Sequence, residues 1–243
     1  MSFTNRDYEN LEQLMNEKPE NRELIEKLLE SHQYTISKIS HEIRNPLALV
    51  YSTLQLIESQ HPEAKSFKHW NDMREDIEFM NSLLLELSTY NNGERLNLQP
   101  VCAYDFLSHI CLSFASSCVD TEIEFTSKID KNLPNIFCDR IKLHEVVLNL
   151  LKNAFDAVTP AGSIRLEAYI ENNMLKIVIS DTGCGISPEQ LDEIFNAFFT
   201  SKSGGTGLGL AIAKRVITAH QGSVSVKSEL HKGSKFTISL PVG

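Results

Sequence analysis

Apolar residues from Pro19 onward recur in steps of three and four. Ile36, Ile39, Ile43, Leu47, Val50, Leu54 and Ile57 form one stripe of a helix expected to run to about Gln60. After the turn-like "HPEA", Trp70, Met73, Ile77, Met80, Leu84 and Leu87 alternate the two steps without a break, which is the heptad of a coiled-coil seam. Two long helices with narrow stripes predict a hairpin that cannot cover its own seam, so pairing with a second copy into a four-helix bundle is expected. Residues 91–100, "NNGERLNLQP", have turn composition and read as a linker. Beyond them the pattern changes in kind. Residues 101–119 read as a helix, 122–129 alternate like a strand, and 140–158 are a strong amphipathic helix. "SIRLEAYI" and "LKIVIS" read as strands joined by a turn at Glu171 to Asn173. A helix at about 207–220 and the strands "SVSVKS" and "KFTISL" close the chain. Strands and helices alternate without β-α-β repeats, so the fold class is α+β, with a mixed sheet covered on one face by helices. The expected order is a polar lead-in at 1–18, a helical domain at 19–90, the linker at 91–100 and a second domain at 101–243.

Composition narrows the function. With 243 residues, 42% of them hydrophobic, the chain can bury a real core, and a formal net charge of -9 disfavours nucleic acid as a main partner. The five cysteines are odd in number and contain no C-x-x-C pair, which argues against a disulfide framework or zinc site and for a reducing, cytoplasmic setting. No apolar run approaches the roughly 20 residues of a membrane span.

Four stretches carry candidate chemistry. In "HEIRNP", Asn45 shares a face with His41 one turn away, while Pro46 lacks an N–H and crowds the Glu42 carbonyl, predicting a bend beside His41. Glu42 is placed to accept the Nδ1 proton and leave Nε2 nucleophilic. In "NLLKNAFDA", Asn149, Asn153 and Asp156 line one side of an otherwise apolar helix, an arrangement that also suits a solvated edge. "DTGCGI" sets Asp181 at a strand end before glycines that admit a flat ligand bearing an amino group, although an ordinary tight turn looks similar. "GGTGLGLAIAK" places Gly204, Gly205, Gly207 and Gly209 before a helix, where backbone amides cradle phosphate; it fits neither the P-loop nor the dinucleotide fingerprint.

In order and spacing, these stretches resemble the boxes of the two-component sensor histidine kinases. "HEIRNP" resembles the H box, "NLLKNAFDA" the N box, "DTGCGI" the first glycine box, "FNAFF" at 195–199 the F box and "GGTGLGL" the second glycine box. The resemblance spans about residues 20–241. It implies a HisKA-type dimerisation and histidine phosphotransfer bundle at 20–90, then a Bergerat-type α/β sandwich of the gyrase and histidine-kinase superfamily. It further implies ATP and Mg²⁺ as cofactors, phosphorylation of His41, a response-regulator receiver domain as partner, and a homodimer. Glu42 is implied as the acid that activates His41, and Asn45 as the residue that positions a water for dephosphorylating the regulator. Asn153 is implied as the Mg²⁺ ligand with Asn149 beside the phosphates. Asp181 is implied for the adenine amino group, with Gly183, Gly185 and Ile186 around it. Gly205, Thr206, Gly207, Leu208 and Gly209 are implied to line the phosphates beneath a mobile lid at about 196–204.

Asp156 departs from the commonest pattern, which has a lysine there, so Lys152 or Lys202 is the expected substitute. "FNAFFTSK" and the "NAFDA" ending lean towards the nitrogen-regulation and sporulation branch. A gyrase-type ATPase is the main rival, but such enzymes use a glutamate where this chain has Asn149, which cannot act as a base. A phosphotransfer adaptor or anti-sigma-like module with a degenerate nucleotide site is a second, disfavoured by the intact glycines and Asn153. The short stretch before His41 leaves two expectations: a cytosolic kinase that receives its signal from a partner protein, or a fragment that begins after its sensor.

Overall fold

The structure, a computed structural model, describes residues 14–15, 18–158, 160–202 and 205–242. Most of the lead-in, together with Gly204 and the end of the expected lid, lies outside the described residues. The chain divides into two compact units between Asn91 and Asn92.

The first unit is a helical hairpin. Helix α1 (Pro19–Gln60) opens with proline at its first turn, where the missing N–H is no loss, and continues as one helix through Pro46. A short 3-10 helix (Pro62–Ser66) turns the chain into α2 (Trp70–Asn92). Leu54 of α1 and Ile77 and Leu84 of α2 are buried, and the Arg44 guanidinium donates to the Leu84 carbonyl at 3.0 Å. The Trp70 indole N–H donates to Glu58 at 2.8 Å and pins the turn end. Large apolar side chains remain uncovered within the chain. Leu24, Leu28, Ile39, Ile43 and Val50 are exposed at helical spacing on α1, as are Met73 and Met80 one heptad apart on α2. The seam expected from the heptad therefore splits, half buried in the hairpin and half facing outward.

The second unit is a five-stranded mixed sheet with helices against one face. Its elements are β1 (Gln99–Cys102), α3 (Ala103–Ser117), β2 (Glu122–Ile129), β3 (Asn135–Cys138), α4 (Arg140–Ala157), β4 (Ala161–Glu171) and β5 (Met174–Asp181). The short helix α5 (Pro188–Leu191), α6 (Gly209–Ala219), β6 (Ser223–Glu229) and β7 (Gly233–Pro241) complete it. The sheet order is β2-β4-β5-β7-β6, with β2 parallel to β4 and every other pair antiparallel. On β4, Ile164, Leu166 and Ala168 are buried while Arg165 is exposed between them, so one face is covered. Leu143, Val147, Leu150 and Leu151 of α4 and Ile212, Val216 and Ile217 of α6 supply the covering core. The pairing of β1 with β3 in a separate two-stranded sheet was not among the expected elements.

Of residues 91–100, expected as a linker, the first two end α2 and the last two open β1. The segment between is strapped to the second unit. The Lys142 ammonium donates to the carbonyls of Asn92, Gly93 and Arg95, Asp139 accepts from the Asn97 amide at 2.9 Å, and Arg215 pairs with Glu94 at 2.9 Å.

Candidate functional site

Helix α4 is the spine of the site. Asp139 caps it, its Oδ1 accepting from the Ile141 and Lys142 amides at 3.1 Å, a contact of the kind worth about 1 kcal/mol. Burial works against the ionised Asp139, but the amides of Asn97, Lys142 and Ile141 and the Lys142 charge outweigh it and hold the carboxyl below its usual range. Buried His220, at the end of α6, fixes the same cap: its Nε2 accepts from the Asp139 amide at 2.9 Å and its Nδ1 meets the Val216 carbonyl at 2.8 Å. That pairing assigns the ring proton to Nδ1. With the first turn held, α4 presents Asn149, Asn153 and Asp156 along one side and buries Val146, Leu150 and Ala154 on the other.

Asp181 ends β5 with 7% of its surface exposed. Its Oδ1 accepts from the Gly183 amide at 2.8 Å and the Ser234 amide at 3.2 Å, and among the described residues Oδ2 has no hydrogen-bond partner. Burial pushes this carboxyl above the ordinary aspartate range, against the two amides and the Lys202 charge. A carboxylate held by one oxygen at a buried strand end leaves the other as an acceptor for a donor on a bound ligand. Ser234, on β7, is a member of this arrangement that periodicity did not single out; only strand pairing brings it to Asp181.

The glycine boxes fold against their neighbours. Gly185 has φ of 71° and a side chain there would collide with the Glu229 carbonyl; Ile186 donates its amide to Ser228 Oγ at 2.8 Å. Gly207 has φ of 69°, and its carbonyl accepts from the Phe198 amide at 2.9 Å. Phe198 itself sits at φ of 68°, a costly conformation for a bulky residue, and is exposed, so it meets the second glycine box through its backbone amide. Thr206 Oγ1 accepts from the Leu208 amide at 3.3 Å, and Leu208 is fully buried. Gly209 opens α6 opposite Asn149, whose Nδ2 approaches the Gly209 carbonyl at 3.4 Å.

Lys202 crosses to α4. Its ammonium lies 2.9 Å from Asp156 Oδ2 and 3.4 Å from Asn153 Oδ1. Lys152, the other expected cation, is exposed and has no ion pair or hydrogen bond among the described residues. The Asn153 side-chain oxygen thus faces a positive charge.

In the hairpin, His41, Glu42 and Asn45 are all exposed. Successive helical residues diverge by about 100°, and Glu42 does not meet the imidazole; it lies 3.8 Å from the Lys38 ammonium. Ser40, beside them, is buried and donates to the Ile36 carbonyl at 2.8 Å.

Comparison with known proteins agrees with this geometry. Residues 138–243 match the family described as "Histidine kinase-, DNA gyrase B-, and HSP90-like ATPase". The chain is 32% identical over 205 residues to the signal transduction histidine-protein kinase AtoS of Escherichia coli, covering 84% of this chain and 34% of AtoS. It is 34% identical over 206 residues to the sensor histidine kinase ZraS of Salmonella typhimurium, covering 84% and 44%. Among solved structures, full-length ShkA in complex with AMPPNP superposes with a TM-score of 0.76 at 28% identity, over 86% of this chain and 46% of that one. The mycobacterial sensor histidine kinase MprB superposes at 0.53 with 30% identity, over 60% of this chain and 97% of that one. The chain spans less than half the length of the curated relatives AtoS and ZraS. A capped helix bearing Asn149 and Asn153, a buried Asp181 at a strand end and glycines folded beside both are carried by a sequence that aligns with these kinases on either side of Asn91: the chain belongs to the sensor histidine kinase family.

Proposed function

We propose that the chain binds ATP in the cleft of the second unit, transfers the γ-phosphoryl group to His41 and passes it to an aspartate of a response-regulator receiver domain. The observation that carries this reading is that both glycine boxes meet α4, Gly183 at Ala157 and Gly209 at Asn149, where Lys202 also reaches Asn153, in a chain that also exposes a histidine in "HEIRNP". Asp181 accepts from the adenine amino group through Oδ2, and Gly183, Gly185 and Ile186 border the base. Asn149 and the Gly205, Thr206, Gly207 and Gly209 stretch line the phosphates, with Leu208 buried beneath them. The donor set suits a hard divalent cation: Asn153 Oδ1 already attracts an ammonium. Mg²⁺ when bound neutralises charge on the β- and γ-phosphates.

The transfer then asks little of the protein beyond position. His41 Nε2 forms the N–P bond as the bond from γ-phosphorus to the bridging oxygen breaks, and ADP leaves with that electron pair. Glu42 stabilises the imidazolium by accepting from Nδ1–H, which requires it to leave Lys38. Asn149 in place of a glutamate removes the base that would send the phosphoryl group to water. The domain division at 19–90, 91–100 and 101–243 follows from these roles, and a cytoplasmic setting supplies both ATP and the regulator. No helix among the described residues is long and apolar enough to cross a membrane.

Asn45 lies one turn from His41 and exposed, placed to orient a water on a docked phospho-aspartate. Asn45→Ala is expected to leave self-labelling within about twofold and to slow dephosphorylation of the regulator by tenfold or more, in the range of general positioning effects. Equal loss of both activities would make Asn45 structural.

The exposed stripe on α1 and α2 supports a homodimer through the hairpin. Full burial of a Leu, Ile or Met side chain stabilises by about 1.5–3 kcal/mol, so seven half-covered residues per copy offset a substantial association cost. Sedimentation equilibrium is expected to give a dimer, and a paired Ile43→Glu and Val50→Glu change a monomer that still binds ATP. A wild-type monomer at micromolar concentration would contradict the bundle.

A further inference from the structure

We infer that Asp156 is a positioning residue for the terminal phosphate: it does not touch the nucleotide but holds the Lys202 ammonium beside Asn153, so that Lys202 discriminates ATP from ADP. This rests on the reading of the cleft as an ATP site.

A bare carboxylate on the phosphate side of such a cleft would repel a triphosphate. Asp156 is not bare, because Lys202 Nζ lies 2.9 Å away and also reaches Asn153 Oδ1 at 3.4 Å. Two of the three ammonium N–H donors are directed at α4 and one remains for a ligand oxygen. The lysine backbone is fixed as well: Thr200 Oγ1 accepts from the Lys202 amide at 3.1 Å, and the Lys202 carbonyl accepts from the Gly205 amide at 3.2 Å. A free lysine loses much rotamer freedom on meeting a phosphate, and one already held loses less. Asn153 and Asp156 are three residues apart on one side of α4, so the residue that would ligate the metal and the residue that holds the ammonium are set by the same helix face. Lys152 follows a different direction from that helix and meets neither. Both members of the pair are about 40% exposed, so it is poised to exchange partners and does not lock the site.

The test is equilibrium titration of the full chain with ATP and with ADP in Mg²⁺, for wild type, Lys202→Gln, Asp156→Asn, the double variant, and Asp156→Lys combined with Lys202→Gln. Lys202→Gln is expected to lower the preference for ATP over ADP by roughly fivefold, the range of a partly exposed charge pair, and Asp156→Asn by about twofold. The Asp156→Asn/Lys202→Gln variant should be no worse than Lys202→Gln alone, since the carboxylate acts only through the lysine. Moving the cation onto the helix, in the Asp156→Lys/Lys202→Gln variant, should restore most of the preference. A merely structural role would weaken ATP and ADP equally. Additive effects, an unchanged preference in Asp156→Asn, or no recovery on moving the charge would overturn the inference while leaving the ATP site standing. A wild-type chain that binds neither nucleotide would overturn the reading of the cleft itself.

Discussion

Asp181→Asn is expected to reduce ATP affinity by roughly 100-fold while leaving the second unit as stable as before, or more stable, at neutral pH. The two effects separate because the two carboxylate oxygens do different things. Oδ1 accepts from the Gly183 and Ser234 amides, and an asparagine carbonyl can take over both bonds. Oδ2 would become an NH₂ group, and a donor facing the adenine amino group leaves two donors opposed in a nearly dry site. The stability effect follows from the raised pKa, which burial produces. A carboxyl raised above its unfolded value contributes stability when protonated, below the unfolded pKa of about 3.9, and that contribution is lost as pH rises through the folded value. Wild type therefore bears the cost of a buried charge at pH 7, and the variant does not. Calorimetric Tm of the two proteins should coincide at low pH and diverge in favour of Asp181→Asn as pH rises. ATP affinity of wild type should fall on acidification at a higher pH than an ordinary aspartate would set. A variant that binds ATP normally, or that loses Tm at neutral pH, would remove Asp181 from the base-recognition role.

Much of the second unit was legible because its signals are local. β2 spans Glu122–Ile129 as its alternation requires, and α4 runs Arg140–Ala157 with an aspartate cap where the helical pattern begins. The sheet order was not legible: β2 lies parallel beside β4 across an intervening helix, and nothing in either strand's alternation names its neighbour. The same limit hid β1 and β3, which are only four residues each. It hid Ser234 and His220 too, since one reaches Asp181 through strand pairing and the other reaches Asp139 across 81 residues of chain. Sequence also left Lys152 and Lys202 as equal candidates for the missing cation. Only the fold of residues 195–202 over α4 distinguishes them, because Lys202 lies 46 residues from Asp156.

In the hairpin, the heptad was legible and the burial was not. Ile77 and Leu84 are covered within the hairpin while Met73 and Met80 on the same heptad are partly exposed. The expected contact from Glu42 to His41 is absent, since helix geometry turns adjacent side chains apart, and Lys38 one turn earlier is the nearer partner. Pro46, expected to bend the helix beside His41, sits within an unbroken α1. Its removal of one N–H leaves the carbonyl of Glu42 without its usual partner, one residue from His41. That places a weakened turn of helix beside the residue proposed to accept the phosphoryl group.

The central claim is that His41 receives the γ-phosphoryl group, and incubation of the full chain with γ-labelled ATP in Mg²⁺ tests it most directly. Wild type should incorporate label that is lost in acid and survives alkali, the behaviour of a phosphoramidate. His41→Gln should incorporate none while binding ATP as tightly as wild type, because His41 is exposed and the residues proposed to bind nucleotide all lie within residues 92–243. Removal of the nucleophile cannot be compensated by the neighbouring Glu42 or Asn45, neither of which offers a nitrogen lone pair of comparable basicity. Acid-labile label persisting on His41→Gln would contradict the assignment.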